Sequence, residues 1–229
     1  MMTINVMQNQ VAYQVLDDSN SNLFLKGCFI VFEGLDGAGT TTQTALLANR
    51  LDKNRYEVIA TKEPTDGIWG GIIRGILKGE IEAHALSLCY AFMADRIDHI
   101  QKLEVQTRRY KSPVVISDRY HLSYLAYQQM DTNKSLSWLL LTQQGLPLPD
   151  ITFFLDVPPL VCYERMKKSR LTRERYENIE TLERIHTGYS DAIDLLLRQG
   201  QNIIILDGTM PIEKLHNQIV AISLEFLNT

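Results

Sequence analysis

The chain has 229 residues, of which 45% are hydrophobic, and carries a formal charge of −4 from 23 basic and 27 acidic side chains. It is long enough to bury one sizeable α/β core, and its net negative charge excludes a general attraction to nucleic acid or to an anionic membrane. An anionic ligand must therefore be held by local cationic clusters.

Residues 1–25 form a polar extension around Asp17-Asp18-Ser19-Asn20-Ser21-Asn22. They lack a charged start followed by an apolar stretch of signal-peptide length, so secretion is not expected, and no later segment is apolar enough to span a bilayer. Cys28, Cys89 and Cys162 are far apart and odd in number. They read as reduced thiols packed in the core of a cytoplasmic protein.

From residue 26 the chain alternates short apolar runs with longer amphipathic ones. Cys28–Phe32, Glu57–Ala60, Val114–Ser117, Thr152–Leu155 and Asn202–Leu206 have the length and branched or aromatic content of buried strands. Thr41–Lys53, His84–Gln106, Leu160–Lys167 and Leu182–Arg198 have helical spacing. This predicts one domain over 26–229, a five-stranded parallel sheet with helices on both faces. Ligands then bind beyond the carboxyl ends of the strands.

Two strand ends carry chemistry. The first run feeds Phe32-Glu33-Gly34-Leu35-Asp36-Gly37-Ala38-Gly39-Thr40-Thr41-Thr42, which fits the phosphate-loop pattern G-x-x-x-x-G-K-[ST] with Thr40 in place of the lysine. Gly34, Gly37 and Gly39 let consecutive N–H groups curl round an anion at the positive end of the next helix. A strand-to-helix turn that binds nothing is the alternative for the loop alone. The second is Val114–Tyr120, where Asp118 ends an apolar strand at the same sheet edge and can hold Mg²⁺ together with the Thr41 hydroxyl. Arg119 adds a bidentate anion-binding fork.

These landmarks, with Thr61-Lys62-Glu63-Pro64, Ile73-Arg74, Phe92-Met93-Ala94-Asp95-Arg96, Ser117–Tyr120, Ala126-Tyr127-Gln128, Leu155–Pro158 and Glu174–Glu177, resemble the thymidylate kinases among the nucleoside monophosphate kinases. The likeness runs in order from about residue 27 to the C-terminus. It implies Mg²⁺-dependent transfer of the γ-phosphoryl group of ATP to dTMP. Asp36 would lie near the acceptor sugar, Arg74, Arg96 and Arg119 would clamp its monophosphate, and Phe92 would stack on thymine. Ser123 and Gln128 would line the base, and Tyr127 would pack against the sugar. Gly34, Gly37, Ala38, Gly39, Thr40, Thr41 and Thr42 would hold ATP, with Gly208 and Thr209 near adenine.

Residues 167–177 resemble the family's lid, whose Arg173 and Arg175 would stabilise the transferred charge together with Asp36 and Arg119. The chain departs from the family at Thr40, and at Tyr124, where a small or amide side chain is usual. Arg173, Arg175 or Lys62 are the candidates to supply the missing cation. The resemblance also implies a homodimer joined through long helices. His84, His99, His121, His186 and His216 receive no catalytic role. A kinase for another deoxynucleoside monophosphate, or a non-catalytic nucleotide-binding module of the same fold, remain the other readings.

Overall fold

The computed structural model describes residues 23–54, 56–169, 175–176 and 178–228. The extension up to Asn22 and lid positions 170–174 and 177, Arg173 among them, lie outside the described residues.

The strands are β1 (Cys28–Gly34), β2 (Glu57–Lys62), β3 (Pro113–Asp118), β4 (Ile151–Asp156) and β5 (Ile203–Asp207). They form one sheet in the order β2-β3-β1-β4-β5 with every pairing parallel, as the alternation predicts. Each strand runs further at its carboxyl end than its apolar run, because the ladder continues through polar pairs such as Lys62↔Asp118 and Asp156↔Asp207. Backbone pairing needs no apolar side chain. The polar residues so gained stand at the ligand-binding edge.

Eight helices are described: α1 (Thr40–Lys53), α2 (Ile68–Leu77), α3 (Ala85–Thr107), α4 (His121–Thr132), α5 (Leu136–Leu141), α6 (Pro159–Ser169), α7 (Ile179–Arg198) and α8 (Ile212–Leu227). The sequence pattern finds α1, α3, α6 and α7 but not α2, α4, α5 or α8. Glycine lowers intrinsic helicity, and α2 holds Gly70, Gly71 and Gly75. Gly70 is required by packing, since a Cβ there would lie 1.8 Å from the Thr65 carbonyl oxygen. The α7 start moves from Leu182 to Ile179 because the Asn178 side chain caps the Thr181 N–H at 2.9 Å.

Alternate β1 side chains enter different clusters. Ile30 and Phe32 join the larger core with Leu47 of α1 and Leu125 of α4. Phe29 and Val31 join Ile100 and Leu103 of α3. Leu25, assigned to the extension by its polar neighbourhood, is buried in this second cluster, and the Leu23 N–H donates to the Gly145 carbonyl at 3.3 Å.

His121 opens α4 at 3% exposure, with Nε2 2.7 Å from Gln201 Oε1. Burial and then the charge of Arg96 lower its pKa from the ordinary 6.5 to about 4. The unfolded chain therefore binds the proton more readily. The stability due to neutral His121 is complete above pH 6.5 and is lost as pH falls through about 4. Chemical denaturation across that window should show a falling midpoint, and His121→Phe should flatten the fall, a difference of up to about 3 kcal/mol.

Candidate active site

The carboxyl end of β1 splits into two devices. Gly34 leads into a loop that ends on α1, with Gly37 at φ 86° and Gly39 at φ 101°. A Cβ on Gly37 would approach the Cys162 carbonyl oxygen to 2.8 Å. Thr40 is buried, and its Cγ2 lies 3.4 Å from where a Cβ on Gly34 would stand, so this side chain folds under the loop. The Thr41 hydroxyl donates to Asp118 Oδ2 at 2.5 Å. Asp118 Oδ1 is buried with no hydrogen-bond partner among the described residues. Asp36, Gly37, Ala38, Gly39, Thr40, Thr41, Thr42 and Gly208 border one cavity of about 580 Å³. Thr209 is not on its wall: its N–H and hydroxyl both donate to Asp207 Oδ1, at 2.9 and 2.5 Å.

The second device is Glu33, fully buried and not singled out by the sequence. It accepts the N–H groups of Tyr120 (2.9 Å) and Leu122 (3.0 Å) on Oε1 and of Ser123 (3.1 Å) on Oε2, with the Ser123 hydroxyl donating to Oε2 as well. The carboxylate thus caps α4 in place of a side chain from Tyr120. Burial raises its pKa, while hydrogen bonds from Ser123 and the charge of Arg119 pull it back in part.

Arg119, between β3 and α4, adopts φ 74°, a conformation seldom taken by a branched or bulky residue. Its N–H donates to the Phe32 carbonyl at 2.8 Å, and the Ser117 hydroxyl donates to its carbonyl at 2.8 Å. This turn aims the guanidinium at Asp36 Oδ1 (2.7 Å), the Ser123 hydroxyl (3.0 Å) and the Tyr189 hydroxyl (3.2 Å). Burial acts to lower its pKa, but Tyr127 and Asp36 outweigh burial and raise it well above the ordinary value.

The residues expected to hold an acceptor converge. Asp36, Arg74, Phe92, Arg96, Arg119, Ser123, Tyr127 and Gln128 all line one cavity of about 270 Å³, together with Lys62, Glu63, Tyr124 and Tyr176. The arginines differ in freedom. Arg96 is 2% exposed and binds Glu63 Oε2 through Nε (2.8 Å) and Nη2 (2.6 Å) and Gln143 Oε1 through Nη1 (2.6 Å). Arg74 donates to the Thr65 carbonyl at 2.6 Å. The Tyr124 hydroxyl is engaged by Thr142 Oγ1 at 2.9 Å and Cys89 Sγ at 3.1 Å. The Gln128 amide is fully buried, and neither its nitrogen nor its oxygen has a partner among the described residues.

Three further groups were given no role by the sequence. Glu63, buried beside the cavity, is held below its ordinary pKa: burial acts to raise it, but Arg96 and His99 outweigh that effect. His99 bridges Glu63 Oε1 (3.0 Å) and the Thr61 hydroxyl (2.6 Å). Arg165 on α6 donates to the carbonyls of Gly37 (3.3 Å) and Gly208 (3.2 Å), joining the phosphate loop to the β5 turn. Of the lid, Arg175 lies 3.5 Å from Asp131 on α4, and the Tyr176 hydroxyl donates to the same carboxylate at 2.5 Å. Arg175, whose N–H donates to the Leu77 carbonyl at 3.0 Å, thus borders a separate cavity beside α2 and neither the acceptor nor the phosphate-loop cavity.

The thymidylate kinase family model matches residues 32–219, from the end of β1 into α8. The chain belongs to the thymidylate kinase family. It is 36% identical over 204 residues to a probable thymidylate kinase of Thermococcus kodakarensis, covering 85% of this chain and 96% of that protein. It is also 36% identical over 197 residues to the thymidylate kinase of Plasmodium falciparum, covering 85% and 89% respectively. The solved thymidylate kinase of Candida albicans superposes with a TM-score of 0.70 over 86% of this chain and 91% of that one, at 24% identity, a likeness of fold. As a thymidylate kinase family member the chain is an enzyme, a phosphotransferase acting on thymidylate. Gly37→Ala should lower its thermal stability by at least about 1 kcal/mol and weaken nucleotide binding, measured by melting with and without nucleotide.

Proposed function

We propose that the cleft transfers the γ-phosphoryl group of ATP to the 5′-phosphate of dTMP, giving ADP and dTDP. The carrying observation is the acceptor cavity itself. Its wall carries Arg74, Arg119, Phe92 and the unpartnered Gln128 amide, and Arg119 also borders the phosphate-loop cavity. A buried amide lacking partners is costly. The lactam edge of a pyrimidine offers one donor and one acceptor, which match that amide.

In this reading an oxygen of the acceptor monophosphate attacks the γ-phosphorus as the bond to the ADP oxygen breaks. No protein nucleophile is needed, and positioning with charge neutralisation supplies the catalysis. Arg119 approaches the transferred group on the acceptor side, and Asp36 fixes its guanidinium while accepting from the sugar. The N–H groups of the loop and of the first turn of α1 take the donor phosphates. Arg165 bridges the loop and the Gly208 turn at the wall of the donor cavity, and of the two lid arginines Arg173 is the one assigned to the transferred charge as the lid closes, since Arg175 is paired with Asp131.

Thr41 and Asp118 would hold Mg²⁺, for which the orphaned Asp118 Oδ1 is a fitting donor. When bound, the ion neutralises charge on the donor phosphates. No group of three His, Cys, Asp or Glu side chains among the described residues forms a cage for a metal. That suits an ion completed by phosphate oxygens and water.

The protein is read as cytoplasmic, and no helix among the described residues is long and apolar enough to cross a membrane. Tyr90, Ile97 and Val105 are exposed on α3 at intervals of seven and eight, one helical stripe. This stripe supports the homodimer reading, checked by sedimentation mass.

ADP release should be fastest with dTMP among a panel of nucleoside monophosphates. Preference for another acceptor would replace the substrate assignment, and nucleotide binding without ADP release would favour a non-catalytic module. Arg119→Ala should lower kcat/KM by about 10²–10³. Gln128→Leu should raise the KM for dTMP by about tenfold with a smaller change in kcat.

A further inference from the structure

We propose that Lys62 supplies the cation that Thr40 cannot, reaching the transferring phosphoryl group from the neighbouring strand. The inference rests on the phosphotransfer reading above. A lysine in the phosphate loop would neutralise the β- and γ-phosphates from beneath. Here that position holds a buried threonine whose methyl packs under the loop, so the charge must come from another element.

Lys62 is the last residue of β2 and the ladder partner of Asp118, so both side chains leave the parallel sheet on the same face at its carboxyl edge. It borders the acceptor cavity beside Asp36 and Arg119. It also borders a further cavity, separate from the donor cavity, whose wall carries Thr41 and Asp118. The donor and acceptor cavities meet at Asp36 and Arg119, which line both, so a flexible stem that starts on the acceptor wall can carry its ammonium to the place where donor and acceptor phosphates meet.

Of the other described cations, Lys102 borders the cavity of Thr41 and Asp118 but not the acceptor cavity, and the arginines around the cleft have fixed work. Arg119 is held by Asp36, Arg96 by Glu63 and Gln143, Arg74 by the Thr65 carbonyl, and Arg175 by Asp131. Arg165 reaches the loop only at the Gly37 carbonyl, with its other contact on Gly208. Lys62, by contrast, meets Asp66 at 3.1 Å with side chains 55% and 77% exposed. An exposed pair of this kind is weak, so phosphate oxygens displace Asp66 at little cost.

The test compares ADP release by the wild type, Lys62→Met, Lys62→Arg and Lys62→Met combined with Thr40→Lys, each with ATP, Mg²⁺ and the preferred acceptor. Lys62→Met should lower kcat by about 10²-fold while the acceptor KM changes by less than about threefold. Either Lys62→Arg or the added Thr40→Lys should recover most of the loss. Lys62→Met within twofold of the wild type overturns the proposal, as does a rise in acceptor KM at unchanged kcat, which would make Lys62 part of the acceptor clamp. A loss repaired by neither replacement overturns it too.

A preferred acceptor other than dTMP would defeat the substrate assignment and leave the Lys62 comparison intact on that acceptor. Absence of wild-type ADP release with every acceptor, regained by Thr40→Lys alone, would defeat the Lys62 proposal, because the missing lysine would then have gone unreplaced.

Discussion

The buried carboxylate of Glu33 ties the two halves of the cleft together. It stands at the end of the central strand and receives three consecutive-turn donors from Tyr120, Leu122 and Ser123. A carboxylate without partners in that position would be strongly destabilising, and so would the uncapped start of a buried helix. Each satisfies the other. The junction between β3 and α4 is thereby pinned against β1, which is what holds Arg119 at its left-handed backbone and points its guanidinium at Asp36. Tyr189 on α7 closes the arrangement by donating to the Gly34 carbonyl at 2.9 Å and meeting Ser123 at 2.8 Å. One residue before the phosphate loop thus positions the acceptor side, and the residues after it build the donor side.

The parallel register then distributes charge. Phe32, Asp118 and Lys62 are successive ladder neighbours across β1, β3 and β2. An acid and a base therefore emerge side by side at the rim. The chain as a whole is acidic, yet Lys62, Arg74, Arg96 and Arg119 gather on one cavity. Glu63 and Asp36 hold two of those arginines in place. Attraction for an anion is therefore local and preorganised. An unpaired set of arginines would repel one another and wander until a ligand arrived, and ordering them would draw on binding energy.

The central strands were legible because a strand buried on both faces must be written as an apolar run, and such runs are short and branched here. The carboxyl ends of several strands were not, since Lys62, Asp156 and Asp207 stay in the ladder for backbone reasons that side-chain pattern does not express. α2 was hidden by glycines kept for close packing against Thr65. α4 was hidden because its inward face carries the polar and aromatic residues of the site, Ser123, Tyr127 and Gln128, and so shows no clean apolar stripe. The motif residues of the cleft could be named in advance. The roles of Glu33, Glu63, His99 and Arg165 could not, because each acts through a partner remote in sequence. A single sequence does not announce such pairs.

Departure from the phosphate-loop pattern is easier to understand once its parts are separated. The grip on an anion comes from backbone N–H groups at the start of α1 and from the glycines that allow them to converge, all of which are present. The hydroxyl and carboxylate suited to a cation, Thr41 and Asp118, are already in contact. What a lysine adds is a mobile point charge, the one component that need not arise from the loop, because a charge acts through its final position and not through its attachment. The geometry demands only that some basic side chain start within reach of the junction between the two cavities. The β2 terminus meets that demand because the sheet order places it beside β3, so the same topology that gathers the ligands at one edge also permits the cation to migrate between strands.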